Sequence, residues 1–184
     1  MSAEPELRRR TIALIGLMGV GKTSIGRRLA VALDLPFYDS DEEVELAARR
    51  SVAEIFAELG EAAFRDGERK VIARLLDQPP HVLATGGGAF MNEQTRRLIG
   101  EKAISVWIRA DLDALARRVS RKNDRPLLEG RDPRAVLETL AKERYPAYAL
   151  ADVTVDSVDL PHQRTVNAII DALRAWLGDK DKTA

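Results

Sequence analysis

Gly16-Leu17-Met18-Gly19-Val20-Gly21-Lys22-Thr23 satisfies the pattern G-x-x-x-x-G-K-[ST], and the residues on either side of it decide the fold. Before it, Thr11 to Gly16 (TIALIG) is a short apolar, partly β-branched run closing on glycine, which reads as a buried strand. After it, Lys22 to Leu33 carries Ile25, Leu29 and Leu33 on one helical stripe. A glycine-rich turn between a strand and a helix lets successive amide N–H groups point inward at phosphate oxygens, and the helix adds its positive dipole end. Lys22 is placed to reach the β- and γ-phosphates, and the Thr23 hydroxyl to ligate Mg²⁺. The stretch implies a nucleoside triphosphate binder, with Gly19, Val20, Gly21, Lys22, Thr23 and Ser24 as its candidate contacts.

Working outward, further short strands are expected at 35–38, 81–85, 103–109 and 153–155. Helices are expected at 41–50, from Ser51 with a Ser51/Glu54 capping box, and at 61–76 beyond a break at Gly60. Others follow at 92–99, from an Asp111 cap to Ser120, from Asp132 and Pro133 to Tyr145, and at 161–177. The residues before Thr11 read as a solvated tail, and the closing GDKDKTA as frayed. Strands alternating with helices predict an α/β fold, a three-layer αβα arrangement with a parallel sheet covered on both faces. Ligands of such sheets bind outside the carboxyl ends of the strands, here after Ile15, Tyr38, Thr85 and Arg109.

Composition bounds the partners. The chain has 184 residues, 29 Lys plus Arg against 29 Asp plus Glu, no cysteine and two histidines. Zero net charge argues against a protein that coats nucleic acid, but a small anionic ligand needs only a few local cations. Disulfides, thiol nucleophiles and multi-histidine zinc sites are excluded. No apolar run is long enough for a membrane span or followed by a signal cleavage pattern, so a cytoplasmic protein is expected. We expect a single domain over 1–184 with its core at about 11–178, flexible tails at 1–10 and 179–184, and a monomer as default.

Four more clusters carry chemistry. Asp39 and Asp41, two apart on an extended segment, are expected to point in opposite directions, one to a metal and one to a second ligand; helix capping is the plain alternative. Arg65 either serves an anion or pairs with Glu61 and Glu68 on its own helix. Gly86-Gly87-Gly88 ends a strand and clears side chains, so that a ligand can lie on bare backbone. Residues 117–125 hold five cations in nine residues, suited to a loop that closes over a triphosphate. Arg144 could complement a helix C-terminus.

Together, the phosphate loop, the Asp-x-Asp strand end, the Phe64-Arg65 helix, the triple glycine, Arg125-Pro126-Leu127-Leu128 and Glu143-Arg144-Tyr145-Pro146-Ala147-Tyr148 resemble the shikimate kinases, in family order from about Ile12 to Leu173. The resemblance implies a P-loop NTPase fold like that of the nucleoside-monophosphate kinases, with five parallel strands, a substrate-binding region at about 39–70 and a lid at about 117–131. It implies transfer of the γ-phosphoryl group of ATP to the 3-hydroxyl of shikimate, in aromatic amino-acid biosynthesis. On it, Asp41, Arg65, Gly86, Gly87, Gly88 and Arg144 hold shikimate. Lys22, Asp41 and Arg125 carry the transfer, Arg118 lies against adenine, and Thr23 with Asp39 serves Mg²⁺. The segment near Leu160 to Gln163 has no confident match to the family's adenine contact. The other readings are a related small-molecule kinase such as a gluconate kinase, and a non-catalytic nucleotide-sensing module. The Arg65 and Arg144 pair and the triple glycine oppose the first; intact Lys22, Thr23, Asp41 and Arg125 oppose the second.

Overall fold

The computed structural model describes residues 3–120, 130–157 and 162–183. The expected strands form one five-stranded sheet: β1 (Thr11–Ile15), β2 (Phe37–Asp39), β3 (Val82–Ala84), β4 (Ala103–Arg109) and β5 (Val153–Asp156). Their order is β2-β3-β1-β4-β5, and every pairing is parallel. All five residues of β1 are buried, as a central parallel strand covered on both faces requires. The second strand begins later than expected because Pro36 has no N–H for the ladder; its carbonyl instead accepts from Val82 N at 2.9 Å.

The connecting helices are α2 (Lys22–Leu33), α3 (Ser40–Ala48), α4 (Val52–Leu76), α5 (Glu93–Lys102), α6 (Leu112–Val119) and α7 (Pro133–Tyr148), with α1 (Ala3–Leu7) and α8 (His162–Thr183) at the two ends. The chain leaves β1 toward β2 but leaves β4 toward β5, so the loop after β1 lies at a switch in direction. Right-handed crossovers put the helices of those opposed connections on opposite faces. Accordingly α1, α2 and α8 pack together, while α4, α5, α6 and α7 form the other layer with a 3₁₀ turn at Ala89–Met91.

Four further stretches differ from expectation, the first being the closing residues from Gly178, expected to fray, through which α8 continues as helix to Thr183. The segment before β1 is not wholly a solvated tail: α1 packs on α8, and Leu7 is 0% exposed. Such an anchor was hidden because one apolar residue among charges shows no periodicity. The helices on either side of Gly60 run on as α4, bent where Gly60 takes φ 83° and ψ 170°. Helix α7 continues past Tyr145 through Pro146, which lacks an N–H. It is held by packing of Tyr145 and Tyr148 against Trp107, at ring separations of 5.0 and 5.9 Å. Arg144 therefore sits inside the helix rather than at its end. Among the described residues no helix is long and apolar enough to cross a membrane.

Candidate functional site

The loop after β1 and the strand ends beside it enclose a cleft of about 520 Å³. Met18, Gly19, Gly21, Lys22, Thr23 and Ser24 line one wall, and Asp39, Asp41, Gly86 and Gly87 face them. Gly21 holds φ 94° at the N-cap of α2, a left-handed turn that directs the helix N-terminus at the cleft. Lys22 Nζ donates to the Gly16 and Leu17 carbonyls at 2.8 and 3.0 Å, which keeps the ammonium over the loop. Val20 is the exception among the loop candidates: its side chain is buried and its N–H donates to the Leu17 carbonyl at 3.4 Å. Arg118, carried in by α6, donates to the Gly19 carbonyl at 3.4 Å. Arg125 lies outside the described residues, as do residues 121–129 of the expected lid and Leu160 and Pro161 of the segment considered for adenine.

Asp39 and Asp41 divide as expected but for a different reason. On an extended strand residues two apart share a face, so the expected geometry was wrong. The strand ends at Asp39 and α3 starts at Ser40, so the chain turns between the two carboxylates. Asp39 caps α3 by accepting from Asp41 N at 3.0 Å, and it also accepts from Thr23 Oγ1 at 2.6 Å. Capping and site placement therefore coexist. That hydroxyl and carboxylate are the hard oxygen donors that Mg²⁺ takes when phosphates and water complete its shell, so the pair fits the metal.

Asp41 is turned away from this pair. Burial, with Glu68 and Asp39 nearby, pushes its carboxyl up to about 6, against the pull of Lys22 and Arg65. Its Oδ1 is buried without a hydrogen-bond partner among the described residues, and so is Oε1 of Glu68.

The triple glycine explains how these groups come together. A Cβ on Gly86 would stand 2.1 Å from Glu68 Oε1 and 2.9 Å from Asp41 Oδ1. On Gly87 it would meet Arg144 Nη1 at 3.0 Å, and on Gly88 Arg65 Cζ at 2.5 Å. The glycines were expected to clear room for a ligand; they first clear room for the protein's own charged side chains. Tyr148 donates its hydroxyl to the Gly87 carbonyl, and Gly86 N donates to Ser40 Oγ at 2.9 Å, which pins the run between α7 and α3.

Arg65, on α4, lies against Gly88, and Arg144, on α7, against Gly87. Arg144 is only 8% exposed. Arg65 donates to Glu68 at 2.8 Å and to Glu61 at 3.3 Å, so both helix partners of the bland alternative are real, yet the guanidinium still lies against Gly88. Glu68, 2% exposed, is the residue that sequence reasoning underrated. It was visible only as a helix partner, whereas the fold buries it between Arg65 and Gly86, with Arg144 near enough to favour its charge. His162, inside the segment at 160–163 left open for the adenine contact, lines the cleft, with Cε1 3.2 Å from where a Gly21 Cβ would stand. Conversely, Arg109, at the end of β4, pairs with Asp156 at 2.7 Å on the surface, so that strand end adds no group of its own.

The arrangement sets a phosphate loop, a hydroxyl–carboxylate pair and the buried Asp41 carboxylate on the cleft, with two arginines against the glycine run that borders it. It suits a nucleoside triphosphate beside a small anion that carries hydroxyls.

Comparison with known proteins points the same way. The family model for shikimate kinase matches residues 18–174. A shikimate kinase of Caulobacter vibrioides (strain NA1000 / CB15N) is 68% identical over 168 residues, 91% of this chain and 84% of that protein. The solved shikimate kinase from Acinetobacter baumannii in complex with shikimate superposes with a TM-score of 0.86 at 32% identity, covering 91% of this chain and 94% of that one. A gluconokinase from Sinorhizobium meliloti 1021 shares the fold alone, with a TM-score of 0.61 at 19% identity over 96% of this chain and 98% of that one.

Proposed function

The chain belongs to the shikimate kinase family, and from that premise we propose how its cleft performs the transfer and which residues carry it. The chain is an ATP-dependent phosphotransferase of aromatic amino-acid biosynthesis, and its substrates are ATP and shikimate. The observation that carries the residue assignment is the glycine run 86–88, with Asp41, Arg144 and Arg65 packed against it beside the phosphate loop.

The carboxylate of shikimate lies between Arg65 and Arg144, because a guanidinium can hold a carboxylate through two parallel hydrogen bonds. Asp41 accepts the hydrogen bond of the 3-hydroxyl and aims it at the γ-phosphorus, with backbone amides of Gly86 to Gly88 completing the hold. At the other end the amides of Gly19 and of Gly21 to Ser24, with the Lys22 ammonium, hold the phosphate chain. Phosphoryl transfer rests mainly on such positioning and on neutralised charge, so in-line placement of the two substrates is the protein's main contribution. Arg125 joins the transferring phosphoryl from the lid at about 117–131, and Arg118 lies by the base. The Thr23 hydroxyl holds Mg²⁺ with Asp39 beside it; the ion, when bound, neutralises phosphate charge. The chain acts as one cytoplasmic, monomeric domain with its substrate-binding region at about 39–70.

The test is product formation with Mg·ATP and shikimate, followed by ³¹P resonance. The native protein is expected to form a shikimate monophosphate and ADP, and Lys22→Ala to form neither at a measurable rate. A normal rate in Lys22→Ala would contradict the assignment of the loop.

A further inference from the structure

Neither the phosphate loop nor the acceptor residues use His162, yet its ring forms part of the cleft wall. It stands at the first position of α8 and reaches across to the loop, with Cε1 3.2 Å and Nδ1 3.8 Å from where a Cβ on Gly21 would be. Arg118 is placed on the same loop through the Gly19 carbonyl, so a histidine and an arginine flank it on two of its glycines. Nδ1 is buried and has no hydrogen-bond partner among the described residues. His81 differs in placing its Nδ1 on the Pro79 carbonyl at 2.9 Å, although its Nε2 is likewise buried without a partner among the described residues.

Among the described residues, the charged groups that face the ring are cationic: Arg118 from α6 and Arg28 from α2. Lys22 lines the same cleft, and on α8 itself the adjacent residues are Gln163 and Arg164. The carboxylates of the cleft, Asp39 and Asp41, are set against Thr23, Lys22 and Glu68 instead. Burial, Arg118 and Arg28 together hold the imidazole below its ordinary range, so without nucleotide it is neutral near pH 7. A polyphosphate on the loop reverses the sign of the field at the ring.

We propose that His162 is a further nucleotide-binding residue, and that it takes up a proton as the phosphate chain enters the cleft. One ring nitrogen accepts the proton from solvent, and the imidazolium then offsets one phosphate charge. Nucleotide affinity accordingly rises as pH falls through the range in which His162 titrates. This rests on the nucleotide reading of the loop and adds to it a linkage between pH and ATP binding.

The chain has two histidines, so ring Cε1–H resonances can follow each one in the native protein. His162 should titrate below the ordinary 6.5 without nucleotide, and its midpoint should rise by about one pH unit or more with saturating Mg·ADP. His162→Gln assigns the signal; it should bind Mg·ADP severalfold more weakly than the native protein at pH 6, with the two converging by pH 8. Binding of Mg·ADP with an unmoved or lowered His162 midpoint overturns this proposal alone, as does equal affinity of native and variant proteins at pH 6. Failure of the native protein to bind Mg·ADP overturns the nucleotide reading and this proposal with it.

Discussion

At Gly86 the difference between a hydrogen and a methyl group decides whether the site exists, since a Cβ there would overlap Glu68 and crowd Asp41. That contact could not be read from sequence. The three glycines were legible as a bare strand end, but the side chains that need the room come from helical positions eighteen and more residues away. Arg65 and Arg144 were legible only through resemblance, because each had an ordinary helix-surface explanation. Arg65→Ala should raise the shikimate KM by about 10-fold or more, the scale of one charge-assisted hydrogen bond of ~1.5–3 kcal/mol, and leave the ATP KM within about twofold. Steady-state kinetics with each substrate varied in turn measures both. Asp41 carries a second consequence. Its folded-state value of about 6 exceeds the ordinary 3.8, so the fold favours the protonated form. The corresponding stability is present below the ordinary value and is lost as pH rises through about 6. Asp41→Asn should therefore abolish transfer yet stabilise the free protein at pH 7 by about 1–3 kcal/mol, with the gain vanishing toward pH 4. Urea unfolding at the two pH values checks it.

Elements with local punctuation were read almost to the residue. Asp111, Asp132 with Pro133, and Ser51 with Glu54 cap α6, α7 and α4 as their sequences announce. A cap is a contact within four residues, so the sequence carries it directly. Elements stabilised from a distance were misjudged. Helix α7 runs past Tyr145 because Trp107 of β4 packs against its end, and α1 forms because Leu7 reaches the core beside α8. The same distinction separates Asp39 from Asp41, whose division of labour comes from the start of α3 rather than from strand alternation. Leu7→Ala tests the docked segment: emptying a fully buried leucine site should cost about 2–5 kcal/mol in chemical unfolding, whereas a solvated tail would register almost nothing.

Across the whole molecule, five parallel strands were legible because each is a short apolar run bounded by turn residues, and their order places the loop after β1 at a switch in direction. The equal totals of 29 cationic and 29 anionic residues conceal an uneven distribution. Lys22 and Arg118 gather at the phosphate loop and Arg65 and Arg144 at the glycine run, while many other charges pair on the surface, as Arg27 does with Glu42 and Arg97 with Glu93. A neutral chain thus carries a cleft suited to two anionic substrates. The most direct measurement of that claim is ADP release with Mg·ATP, offering shikimate, gluconate or no acceptor. Rapid, saturable ADP release with shikimate, and only background with gluconate or without acceptor, is the predicted result. ADP release indifferent to shikimate, or faster with gluconate, would contradict it.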